Sequence, residues 1–179
     1  MNGETANFSL RAVRLDDAPR IAEQIGDWEV ARWLSSVPHP YAIADAEEFL
    51  TILAAEQPGI SRHEAIIVEG RLAGVVGIDL RKQEPNADQY NLGYWLGRPF
   101  WGRGIMGQAA AQLTRAFFAT SAETKLKSGY FYGNEASAAI QKRLGFAAAG
   151  EGLLFNRAQG RRLPHIETIL TRGRFDAMQ

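Results

Sequence analysis

In the stretch GYWLGRPFWGRGIMGQAAAQL, residues 93–113, an aromatic apolar segment runs through Gly102, Gly104 and Gly107 into an alanine-rich one. The first turn of a helix carries backbone N–H groups without intrahelical partners at the positive end of the dipole, so glycines there leave bare amides for an anion. The chemistry on offer is a cradle for a phosphate or pyrophosphate. Tight-turn geometry is the plain alternative, because glycine takes positive φ freely. Two phosphate motifs are excluded. A P-loop needs Gly-Lys followed by Ser or Thr, and a dinucleotide fingerprint follows the first strand with an acidic residue about 20 positions on.

A second polar constellation lies in NEASAAIQKRLGF. Asn134 suits a helix N-cap, Ser137 falls one turn in, and Gly145 ends the helix so that Leu144-Gly145-Phe146 reverses into a strand. Composition narrows the rest. With 179 residues, 46% hydrophobic and 22% charged, the chain can bury one sizeable core, and residues 1–179 read as a single domain. The 20 basic and 20 acidic residues cancel, so no overall cationic field draws the chain to nucleic acid or an anionic membrane. Cysteine is absent, which removes disulfides, thiolate metal sites and cysteine-linked intermediates. The N-terminal residues lack a signal-peptide plan and no apolar run approaches the ~20 residues of a membrane span, so the expected location is the cytoplasm.

The elements that must position these groups alternate along the chain. Strands are expected over 8–14, 63–68, 71–81, 89–97, 125–132, 146–154 and 165–171, with a hairpin turn at Glu69-Gly70. Helices are expected over 15–25, from Asp27 to Leu34, over 43–57 up to a Pro58-Gly59 stop, over 103–119 and over 135–144. Strand-helix-strand units imply some parallel pairing in a mixed α/β sheet.

The 93–109 stretch resembles the GNAT superfamily of acyl-CoA-dependent N-acetyltransferases, whose signature is Arg/Gln-x-x-Gly-x-Gly/Ala at the mouth of a central helix. Only Gly104 meets the strict form, since Trp101 stands for Arg/Gln and Met106 for the small residue. The RimJ/RimL branch is the better likeness, with Gly-Tyr-Trp-Leu, a proline and Trp-Gly-Arg/Lys-Gly. Its Asn-x-x-Ser helix ending in Lys-x-Leu-Gly-Phe is similar to NEASAAIQKRLGF, and its Pro-x-Pro-Tyr segment to VPHPYAIADAEEFL. The resemblance covers about residues 10–170. It implies an α/β (α+β) GNAT fold: a mixed central sheet of six to seven strands flanked by helices and splayed at the central parallel strands.

The implied reaction is direct attack of a primary amine on the thioester of acetyl-CoA, without metal. The acceptor is a protein N-terminal α-amine or a small amine, and a homodimer is compatible with the family. By the same resemblance Tyr94, Trp95, Leu96, Arg103, Gly104, Met106, Gly107, Asn134 and Ser137 hold the cofactor. A backbone N–H at Gly93 or Tyr94 meets the oxyanion. Many relatives place an acidic tyrosine where this chain has Gln141, which leaves Ser137 as donor to the CoA sulfur. For the base, Glu135, Glu151, Asp88 and His39 are alternatives, each with an ordinary surface or capping reading. Trp33, His39 and Tyr41 are expected at the acceptor, although these aromatic positions and Trp28 also suit a core. A catalytically silent acyl-CoA-sensing module on the same fold is the competing function.

Overall fold

The computed structural model describes residues 7–56, 61–83 and 87–178, by backbone alone over 81–83 and 87–88. The expected Pro58-Gly59 stop and the side chain of Asp88 lie outside the described residues. Seven strands form one sheet: β1 (Ser9–Ala12), β2 (Ser61–Val68), β3 (Arg71–Gln83), β4 (Ala87–Leu96), β5 (Lys125–Phe131), β6 (Ala147–Asn156) and β7 (Arg161–Thr171). Their order is β1-β2-β3-β4-β5-β7-β6, and among the described residues only β4 and β5 pair in parallel. Glu69 and Gly70 turn β2 into β3 with φ of 50° and 74°, as a two-residue hairpin loop with two left-handed positions requires.

Alternation along each strand sorts side chains into two cores. Val76, Ile78, Leu92, Leu126 and Leu170 pack under α4 (Ile105–Thr120), α5 (Glu135–Leu144) and α6 (Arg172–Ala177). Ala65, Leu72 and Val75 pack on the other face under α1 (Ala18–Ile25) and α3 (Ile43–Ala55). Between these two helices lies the single turn α2 (Trp28–Ala31), capped by the Asp27 carboxylate accepting the Glu29 N–H at 3.0 Å. In α4, Ala109 and Ala110 are fully buried beside Ile105 and Leu113, so small residues bring the helix onto the sheet. Each large side chain buried there is worth about 1.5–3 kcal/mol over exposure.

The expected order of strands and helices is found, with local differences that have physical causes. β1 stops at Ala12, short of residue 14, because the Arg14 N–H is turned to the Asp17 carboxylate at 2.8 Å. A 3-10 turn, Leu15–Asp17, therefore precedes α1. β6 and β7 extend into a long hairpin, and β6 is exposed over nearly its whole length as the edge strand, which explains its weak alternation. The short helix α6 has no counterpart in the sequence reading.

Asp17 locks the first crossover. Its two carboxylate oxygens accept Arg11 guanidinium N–H groups at 2.7 and 2.8 Å, and it is buried. Burial alone raises its pKa, but the Arg11 bonds and the Arg14 N–H outweigh burial and hold the carboxyl below its usual range. The carboxylate's contribution is therefore full above the unfolded value near ~3.9 and lost as pH falls through the folded value. Asp17→Asn should destabilise the protein at pH 7 by about 2 kcal/mol, lowering Tm by roughly 4–8 °C. The gap to wild type should close below about pH 4 in thermal scans across pH.

Candidate active site

β4 and β5 meet at one pair, Asn91 with Lys127, and then part. Past that point the Leu92 carbonyl accepts the Ser128 hydroxyl at 2.8 Å, a side chain taking the place of the next strand's amide. The Gly97 N–H donates to the Ala73 carbonyl on the β3 side at 2.8 Å. Strand alternation then turns the N–H and C=O of Tyr94 and the N–H of Leu96 into the gap. The Leu96 carbonyl already accepts the Trp101 indole N–H at 2.6 Å. A cavity of about 740 Å³ opens here, lined by residues 93–96 of β4, residues 128–131 of β5, the start of α4, and Asn134, Ser137 and Ile140.

Gln141 closes the inner end of that gap. It is 1% exposed. Its amide nitrogen donates to the Gly129 carbonyl at 3.0 Å and Ser128 Oγ at 3.1 Å, and lies 3.3 Å from Ser137 Oγ and 3.5 Å from the Tyr94 hydroxyl. Its oxygen accepts the Thr168 hydroxyl at 2.6 Å. The position that holds an acidic tyrosine in many relatives thus carries a structural amide that ties β5, β7 and α5 together. The Tyr94 hydroxyl and Ser137 Oγ are 2.9 Å apart and form the hydroxyl pair nearest the gap. Burial pushes the Tyr94 phenol above its ordinary value, against the opposing bonds of Ser137 and Gln141, so it stays protonated at neutral pH. Asn134 caps α5, its side-chain oxygen accepting the Ser137 N–H at 3.2 Å.

At the other end, Gly104 caps α4 with φ 70° and Gly102 has φ 74°, both left-handed, and Gly104 has no side chain to cover the first-turn amides. A Cβ on Gly107 would meet nothing within 4 Å, so its surface is open. Gly104, Met106 and Gly107 line the cavity; the Met106 side chain is buried in the core, so its backbone is what it offers an anion. Arg103 is exposed, 3.8 Å from Glu69, and is outside the cavity lining. Tyr94, Trp95 and Leu96 all border the gap.

The opposite face of the splay has a different construction. Register pairs Gly77 with Gly93 across β3 and β4, and Gly129 stands two residues past the single β4–β5 pair as Gly93 does, leaving a trench in the sheet. The imidazole of His63 occupies the space over Gly77, with its Nε2 3.1 Å from Asp79. Over Gly93 nothing lies within 4 Å of a built Cβ. Trp33, Leu34 and Ser35 form the rim, and Lys127, His165 and Glu167 bring titratable groups to the wall. Of the expected acceptor residues only Trp33 lines the cavity. His39 packs edge-on against Trp28 at 5.0 Å, and Tyr41 packs into the core beneath α3, where burial and then Asp45 and Glu48 push its phenol up to about 12. Glu135 and Glu151 also lie outside the lining. His165 and Glu167 were overlooked in the sequence, although their two-residue spacing in HIETILT already put them on one strand face.

An acetyltransferase (GNAT) domain model matches residues 7–147. A Bacillus subtilis protein named as a ribosomal N-acetyltransferase, YdaF, is 27% identical over 162 residues, covering 84% of this chain and 85% of that protein. The solved structure of Mycobacterium smegmatis RimJ in complex with CoA-disulfide superposes with a TM-score of 0.80 at 20% identity, over 94% of this chain and 83% of that one. Spermidine N-acetyltransferase from Vibrio cholerae, in complex with CoA and spermine, gives a TM-score of 0.75 at 13% identity, over 94% and 97% of the two chains. The family match favours transfer over a silent sensing module. With a sheet opened between β4 and β5 and bare amides at the mouth of α4, this chain belongs to the GNAT acetyltransferase family and is an acetyl-CoA-dependent N-acetyltransferase.

Proposed function

We propose that the protein acetylates the α-amine of a peptide N-terminus or a small primary amine, holding acetyl-CoA against the free edge of β4. The observation that carries this reading is the unpaired edge itself: the Tyr94 and Leu96 amides face a cavity that leads to the α4 N-terminus. A pantetheine arm can bond that edge as an added strand would. Its pyrophosphate then reaches the bare amides at 104–107, with Arg103 nearby to add charge. Ribosomal-protein and polyamine acetylation by the similar proteins sets the acceptor range to be screened, and both fit a cytoplasmic enzyme.

The roles divide by face. The Tyr94 N–H serves the oxyanion, because the alternation that frees it directs the Gly93 N–H to β3; Gly93 contributes space for the amine. Ser137 donates to the departing sulfur, with the protonated Tyr94 phenol behind it. The acceptor enters along the glycine trench, past Trp33. A second copy of the chain is proposed to pair against β6, where Leu153 and Phe155 are exposed.

Thiol release from acetyl-CoA, measured across panels of peptides and small amines, tests the function; release with none of them would overturn it. Gly104→Val places a β-branched residue at φ 70° and over the amides, so calorimetry should show CoA affinity at least tenfold weaker in a folded variant. Ser137→Ala should lower kcat about tenfold or more while the Kd for CoA stays within twofold. Wild-type kcat in that variant would return Ser137 to a purely structural place in α5. Sedimentation should give a dimer that Leu153→Asp converts to monomer.

A further inference from the structure

The transfer needs a group to take a proton from the amine, and the described groups first expected to do so, His39, Glu135 and Glu151, all lie away from the cavity. On the trench side of the splay, the wall offers two proton acceptors, His165 and Glu167. They lean in opposite directions. Glu167 Oε2 lies 3.7 Å from a Cβ built on Gly150, over the edge strand β6 and away from the gap. The His165 imidazole lies over Gly129, where a built Cβ would stand 2.6 Å from Nε2 and 2.7 Å from the Ile166 carbonyl. Gly129 follows Lys127 by two residues as Gly93 follows Asn91, so the two glycines face each other across the opening.

We propose that His165 is the general base of the acetyl transfer, brought over the splay by the notch that glycine at position 129 leaves in β5. The proposal rests on the transferase reading of this site and assigns it a catalytic residue. Three features hold the ring there. Phe131 packs against it edge-on, with centroids 5.4 Å apart and planes at 74°. Gly152, its partner in β6, leaves the far side open, and Gly129 removes the one side chain that would push it back. The charged side chains that line the cavity with it are Glu167 from its own strand, Lys127 from β5 and Arg143 from α5. β6 contributes Gly150 and Gly152 there, and the rim residues 33–35 are uncharged.

The step balances without a further reactant. The ammonium gives its first proton to water on binding, and the neutral amine attacks the thioester carbon over Gly93. As the C–N bond forms, His165 Nε2 takes an amine proton. The C–S bond then breaks, the thiolate takes the Ser137 proton, and Tyr94 replaces it. Exchange with water restores the imidazole and the phenol once products leave.

The test uses an acceptor that supports thiol release by the wild-type enzyme. Protonating the imidazole removes the base, so wild-type kcat at saturating acceptor should fall along an acid limb as pH drops. His165→Gln should lower kcat about 100-fold and abolish that limb, with CoA affinity unchanged. Gly129→Ala keeps the imidazole but displaces it, and should lower kcat about tenfold with the limb retained. A His165→Gln enzyme within threefold of wild type, or with the same limb, overturns the assignment. If that variant does not fold, wild-type kcat in Gly129→Ala overturns it. CoA binding and wild-type thiol release test the transferase reading separately, and their failure would remove both.

Discussion

The structure depends on one interrupted hydrogen-bond ladder. Two adjacent parallel strands buried between helices would ordinarily pair along their whole length, because an unpaired buried amide or carbonyl costs roughly 1–3 kcal/mol. Here β4 and β5 pair at Asn91 and Lys127 and then separate, and side chains satisfy part of what the ladder does not. Ser128 serves the Leu92 carbonyl, and Gln141 serves the Gly129 carbonyl while its own oxygen takes the Thr168 hydroxyl. A buried amide with partners on both ends fixes β5, β7 and α5 to one another at little net cost. An apolar residue at 141 would leave those groups without that partner and so would destabilise the fold.

The interrupted ladder also leaves the Tyr94 N–H and C=O facing the gap, while the odd residues of β4 bond to β3. The two faces of this single strand therefore border the gap with different chemistry. On the helical face, burial of the Tyr94 phenol raises its pKa and favours its proton-donating form beside Ser137. On the trench face, glycines at 77, 93 and 129 remove side chains from three neighbouring strands, so aromatic rings from β2 and β7 lean inward over two of them while the middle one stays open. Space for a substrate is made by the same residues that let the rings approach.

Much of this was legible in the sequence where local rules apply. Asn134 as cap, Gly145 in the left-handed C-cap and the helix between them follow from helix-end chemistry, and the structure has all three. The Glu69-Gly70 turn and the sequence of strands follow from turn residues and alternation. Gly104 at the mouth of α4 was visible for the same reason. Long-range placement was not. The strand order puts β7 between β5 and β6, and nothing in HIETILT shows that its neighbour will carry glycine opposite Glu167 and next to His165. His39 and Tyr41 misled for the converse reason: aromatic density between prolines marks a packed crossover as readily as a pocket, and Tyr41 is packed with α1 and α3.

Gln141 carries the wider point about reading one residue through a family's pattern. A glutamine at a position that many relatives fill with tyrosine looks like a lost acid. Its place in the structure is that of a buried amide with a structural load. An amide offers two donors and an acceptor, which a phenol cannot, and three elements use them at once. A phenol lies beside it on β4, Tyr94, whose hydroxyl is 2.9 Å from Ser137 Oγ and 3.5 Å from the Gln141 amide nitrogen. A protonated phenol therefore still stands at the inner end of the gap, carried on the strand that also presents the free amide. Because strand β4 is anchored along its full length to β3, sheet geometry holds that phenol and the free amide on one element.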